Sequence, residues 1–430
     1  MNNMIINSLD EPVSLPDMAL VQQEFSAPVL TDITGSISST LKESGILRNI
    51  SAGQKIAITA GSRGITGISE ILRVIIEEVK NQMADPFILP AMGSHGGNTV
   101  EGQREILDSY DITEENLGVP IHYSVASEKI DTLHDGIPVY CEPIAVEIDG
   151  IIIVNRIKSH PDFTLDHESG LMKMATIGLG REPGAKYVHS RGIAGIKENM
   201  LEIARFLLKK LPVIGGVGIV ENAYHQTALV EAIPVERIPE REKELLVYAK
   251  SLEARLMIDK IDLLIVDEMG KNICGTGLDC GVIGRLLISG EPEPELPQIN
   301  RIVVLDLTDE SHGNCVGIGL SDVITKRLYD KIDFKTYYTN IITSSFIDRG
   351  KIPIIAATDE IAIKIGLRCC WQPVYKNARV VRIKNTAALK TIAISESLWQ
   401  EYRNNNSLTF LSNPQPVEFD SKGTLVQTLG

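Results

Sequence analysis

Apolar residues recur along this chain in two alternating rhythms. Short continuous runs, read as buried strands, are followed by stretches in which apolar positions return every three or four residues, as on one face of a helix. Ile33, Ile37, Leu41 and Ile46 predict an amphipathic helix over 31–48. Residues 55–80 predict strand, turn and helix: Ile56, Ile58 and Ala60 end the strand, Gly61-Ser62-Arg63-Gly64 makes the turn, and Ile68, Ile71, Leu72, Ile75 and Ile76 mark the helix. The unit repeats with a strand over 87–92, a glycine turn at 93–97 and a helix over 99–108 that Thr99 is placed to cap. Further strands are predicted around 119–124, 137–148, 151–154 and 213–221, with a helix over 196–210 between the last two. Residues 1–30 read as irregular, and 236–258 as a charged helix. A fresh series follows, with strands at 261–270, 302–307 and 352–357 and helices near 321–330 and 358–366.

Alternating strands and helices imply parallel sheets, hence an α/β protein. With 430 residues the chain has room for two domains, expected as 1–258 and 259–430, the second smaller. The polar tail from about 405 is expected to pack back on the first domain. The pattern predicts two Rossmann-like parallel-sheet domains, with the active site in the cleft between them.

Composition narrows the partners. Hydrophobic residues make up 43% of the chain, enough for sizeable cores, and the net charge is −14 with a pI near 5.2. That balance argues against a nucleic-acid binder, which needs basic surface for phosphates. The six cysteines form no CxxC pair, so neither a disulfide framework nor a Cys-rich metal site is expected. The opening MNNMIINSLDEPVSL lacks the basic and apolar regions of a signal peptide, and no apolar run reaches about 18 residues. A cytoplasmic protein acting on a small molecule, away from membranes, is the expectation.

The chemistry concentrates in residues 151–192. His160 and His167 flank Asp162, Phe163 and Asp166; Lys173 interrupts the apolar run Leu171-Met172-Lys173-Met174-Ala175; and His189 follows sixteen residues later. A lysine in apolar surroundings is costly unless paired or chemically used. His95 joins this group from a glycine turn at a strand end, and Arg63 from another, where α/β proteins hold anions. Gly61 to Gly64 does not give GxGxxG, so no dinucleotide motif is assigned. Three readings remain open from the residues alone. One is a hydrolytic zinc site of histidines, whose spacing fits no standard zinc motif. Another is a pair of acid–base histidines with a separate metal ligand and a covalent lysine. The third is a binding module whose histidines only form local hydrogen bonds.

The segments GSRG (61–64), PAMGSHGGNT (90–99), NRIKSHPDF (155–163), ESGLMKMATIGLG (168–180) and YVHSRG (187–192) resemble the nickel-dependent lactate racemase family. The resemblance implies a nickel-pincer nucleotide, a pyridinium-3-thioamide-5-thiocarboxylic acid mononucleotide whose sulfurs and ring carbon hold nickel. It implies that Lys173 carries the thioamide link, with Ser62 and Arg63 beside the cofactor, and that His189 is the nickel ligand. His95 and His160 would be the acid–base pair, while Arg63, and Lys271 from the second domain, would hold the substrate. The activity implied is a racemase or epimerase of a 2-hydroxy carboxylic acid, working by hydride removal and return through a 2-keto acid. The alternatives are another hydride shuttle or a dehydration with the same cofactor, or a non-catalytic protein binding an anionic metabolite. Cofactor biosynthesis and insertion proteins are implied partners, and a homo-oligomer stays open. The stretch between His160 and Lys173 is longer and more polar than the lactate enzymes have, and the loop 270–281 differs as well. These departures leave room for a larger hydroxy acid or a sugar acid. His167 is extra to the pattern and is expected behind the site or at the surface.

Overall fold

The computed structural model describes residues 4–429 apart from 162 and 406, so Asp162 lies outside the described residues. The chain divides into two compact units, Ser26–Glu253 and a second made of Met1–Phe25 with Ala254–Gly430.

The first unit is built on five strands: β1 (Lys55–Ala60), β2 (Asp85–Pro90), β3 (Gly150–Arg156), β4 (Val213–Glu221) and β5 (Thr227–Pro234). Their order across the sheet is β2-β1-β3-β4-β5. The first four run parallel and β5 closes the edge antiparallel. The isoleucine-rich strands are apolar on both faces because helices cover both. Ile37 and Leu41 of the helix Ile33–Ser44, and Ile71, Leu72 and Ile75 of Ile68–Lys80, pack with Ile56, Ile58, Ile152 and Val154 in one core. Each such side chain contributes roughly 1.5–3 kcal/mol on full burial. On the other side β4 needs its glycines: a Cβ at Gly216 would lie 2.8 Å from the Leu171 side chain.

The predicted helix 99–108 forms as Val100–Asp108, with the Thr99 hydroxyl accepting from Gly102 N. Two expected strands do not join the sheet. Residues 119–124 contribute only a bridge from Ile121 to Ile88. Of 137–148, Pro138–Cys141 pairs with Glu128–Thr132 in a separate ribbon, and Pro143 then starts the short helix Ile144–Glu147.

The second unit has a nine-stranded sheet, parallel from Ile5–Ile6 through Val380–Ile383 and antiparallel beyond. Residues 1–25 belong here, unlike the expected division. The strand Met18–Gln23 lies between Thr391–Ser395 and Leu408–Phe410. Ala19 and Val21 are buried there, and Gln23 Nε2 donates to Leu389 O at 2.7 Å. The tail follows the same sheet: Leu408–Phe410 pairs with Met18–Gln23, and Leu429 is buried in this unit's core. Among the described residues no helix is long and apolar enough to cross a membrane.

Candidate active site

The site residues of the first unit gather at the carboxyl ends of β1, β2 and β3, where a parallel sheet opens to ligands. Ser62 and Arg63 follow β1 directly, and His95 follows β2 by five residues. The two glycine turns lie against the segment that carries Lys173. A Cβ at Gly61 would come 3.0 Å from Met174 Cε, and one at Gly93, whose φ is +60°, would come 3.1 Å from Ile177 Cγ2. Gly93 is favoured by its positive φ as well as by this close approach, whereas at Gly61 the neighbour is the flexible end of Met174. Lys173 ends the short helical turn Leu171–Lys173 and leads into the π-helix Met174–Gly178. Asn155, on β3, ties this turn to the sheet through Nδ2 to Gly170 O at 2.8 Å.

His95 is hydrogen-bonded through Nδ1 to the Ser62 hydroxyl. Its imidazole is pushed down to about 4, first by desolvation against neighbouring atoms and then by the positive charges of Arg63, Lys173 and His189. His95 as a residue remains exposed to solvent. His189 lies in the last turn of the helix Arg181–Ser190 and is exposed, so it comes from a helix end.

His160 and Lys173 both neighbour Phe163. His160 comes from the loop after β3. Its ring stacks on Phe163 with centroids 4.1 Å apart and planes 14° from parallel. The Lys173 ammonium lies 6.0 Å from the centre of the same Phe163 ring, within cation–π range. Phe163 is buried, at 3% exposure, and so fixes both neighbours. Behind them His167 is buried, donating from Nε2 to Pro239 O at 2.6 Å, with its pKa lowered mainly by burial. Glu242 is fully buried and accepts from the Met172 N–H at 2.9 Å, so it caps the turn bearing Lys173.

Lys271 belongs to the second unit, where its Nζ donates to Gly275 O at 2.7 Å. Phe163, Glu168 and Glu242 are the contributors that sequence reasoning missed as site residues. Only Phe163 carried a signal, as an aromatic between the two histidines. Among the described residues no three of His, Cys, Asp or Glu converge on a common point at metal-ligand spacing, so the three-histidine zinc arrangement is not formed by them.

The first unit is thus a mainly parallel α/β sheet with Ser62, Arg63 and His95 in the turns at its carboxyl edge. Residues 12–198 match the lactate racemase N-terminal domain family. The structure is also similar to that of the lactate racemase apoprotein from Thermoanaerobacterium thermosaccharolyticum. The TM-score is 0.53 at 13% identity, over 86% of this chain and 99% of that one. No curated protein matches the sequence.

Proposed function

We propose that this protein is a racemase or epimerase of a 2-hydroxy carboxylic acid that works with a nickel-pincer nucleotide. The observation that carries the reading is the hydrogen bond that joins Ser62 to His95 across two glycine turns packed on the segment that carries Lys173. The donor set fits the cofactor. A half-buried lysine amine suits a thioamide link, an exposed imidazole at a helix end suits a metal that brings its other donors with it, and the surrounding cations suit an anionic nucleotide. Lys173 would hold the group and His189 its nickel, with Ser62 and Arg63 alongside. When bound, that group would supply a carbon able to take up and return a hydride.

The chain's own residues supply the rest. Arg63 offers a planar pair of donors to a carboxylate. His95, held neutral at pH 7 by its surroundings, can accept the substrate hydroxyl proton, and the Ser62 hydroxyl fixes the ring's orientation. His160, stacked on Phe163, is the second proton carrier, and one base on each side of a planar 2-keto acid lets the proton be returned from either. The α-hydrogen of a hydroxy carboxylate is a poor acid beside an existing negative charge, which favours its departure as hydride.

Three substitutions test the assignment. His95→Ala and His160→Ala are expected to abolish racemisation of a hydroxy acid while keeping nickel, whereas His189→Ala is expected to lose nickel. Full metal content in His189→Ala would refute the ligand assignment, and undiminished turnover in either of the other two would refute its role.

A further inference from the structure

The helix Ile238–Leu252 grips the loop that runs from β3 to Lys173 at several points. At its first turn Pro239 O accepts from His167 Nε2 and Glu242 Oε2 accepts from the Met172 N–H. Near its last turn Lys250 Nζ donates to Glu168 Oε1 at 2.6 Å, and just beyond, Glu253 Oε1 accepts from the Ser159 N–H at 2.9 Å.

Glu168 is the centre of this arrangement. It is 1% exposed, and a buried carboxylate is tolerated only when its lone pairs are met by donors and its charge by a cation. Both conditions hold. Oε2 accepts from the His160 N–H at 2.6 Å, and Oε1 accepts from the Leu165 N–H at 2.9 Å as well as from Lys250. One carboxylate thus ties the backbone at His160 and at Leu165. There His160 and Phe163 are bridged through the backbone and stacked through their rings. The backbone of His160 is held from behind and its ring from the side.

We infer that Glu168, charge-balanced by Lys250, is a positioning residue that sets the place of the His160 imidazole. The inference rests on the reading of His160 as a proton carrier. Among the described residues Lys250 Nζ donates to Glu168, so its loss should act on geometry and not on binding of substrate or cofactor. A displaced base costs rate in the chemical step, since proton transfer needs hydrogen-bond reach.

The test uses Lys250→Met, Lys250→Arg and Glu168→Gln, the last replacing one acceptor oxygen by a donor. Amide hydrogen exchange is measured on each protein without cofactor, and kcat, KM and nickel content on the loaded enzyme. Lys250→Met and Glu168→Gln should accelerate exchange at His160 and Leu165 at least about tenfold. They should lower kcat about 10- to 100-fold, with KM and nickel within about threefold of the parent, as outer-shell partners do. Lys250→Arg should restore both exchange and kcat. Unchanged exchange and kcat in both Lys250→Met and Glu168→Gln would overturn the inference. So would a joint fall of kcat, affinity and nickel that arginine does not rescue. Should the parent enzyme show no turnover on hydroxy acids, the proposed activity fails, yet the exchange rates still decide whether Glu168 and Lys250 hold His160.

Discussion

Charge around a single imidazole governs what His95 can do. Desolvation and then Arg63, Lys173 and His189 hold it well below the usual histidine range, at about 4. In the protein without cofactor, the His95 ring signal followed by NMR should titrate near pH 4. Arg63→Met should move that midpoint upward toward 6.5, and added salt should do the same by screening. A midpoint unmoved by both would mean that the cationic neighbours do not act on His95. The polar residues at strand ends and the lysine inside an apolar run were readable in the sequence, because glycine turns and broken apolar runs are local signals. Glu168 and Glu242 were not. Their burial is created by the packing of Ile238–Leu252 on the loop 158–172, and in sequence they are ordinary members of polar stretches.

Among the elements, the segment 170–178 is held at both ends. Glu242 caps its first turn, and burial raises that carboxyl to about 7 from an ordinary value of 4.5. Between those two values the folded chain keeps a proton that the unfolded chain has released. The stability contribution of this group therefore falls as pH rises from about 4.5 to about 7, and stays low above. Glu242→Gln should flatten that part of a denaturant-midpoint profile against pH. An unaltered slope would show that Glu242 is not the group responsible. Further along, Gly178 leaves no room for a side chain, since a Cβ would meet Met174 Sδ at 2.6 Å and Ala91 O at 2.8 Å. Gly178→Ala should cost about 1–3 kcal/mol in chemical denaturation, as overpacking does. A neutral result would mean that the turn at 91–93 and the π-helix can part freely. Strands and helices with clear periodicity were legible, whereas β5 was not, because its alternating TALVEAIP lies between two stronger signals.

For the whole molecule, the order of domains along the chain was only half legible. The break near 258 is close to the observed one at 253–254, but Met18–Gln23 crosses to the other unit. Its six residues are too few to announce a partner strand nearly four hundred positions away. Residues 26–253 enclose their own core and are expected to fold alone, with cooperative thermal unfolding by circular dichroism. A non-cooperative or unfolded fragment would contradict that. Deleting residues 1–25 should destabilise the second unit, whose strands 391–395 and 408–410 lose the strand between them. The net charge of −14 also hides the local sign, because the candidate site gathers cations on an acidic protein. Such a site is suited to an anionic cofactor and an anionic substrate together.

The most direct measurement is intact-protein mass with peptide mapping and metal analysis, on protein from its own host or from one supplied with the cofactor's biosynthetic enzymes. A mass increment on Lys173 together with about one nickel per chain is the predicted result. An unmodified Lys173 without nickel, under conditions that load a control racemase, would contradict the account.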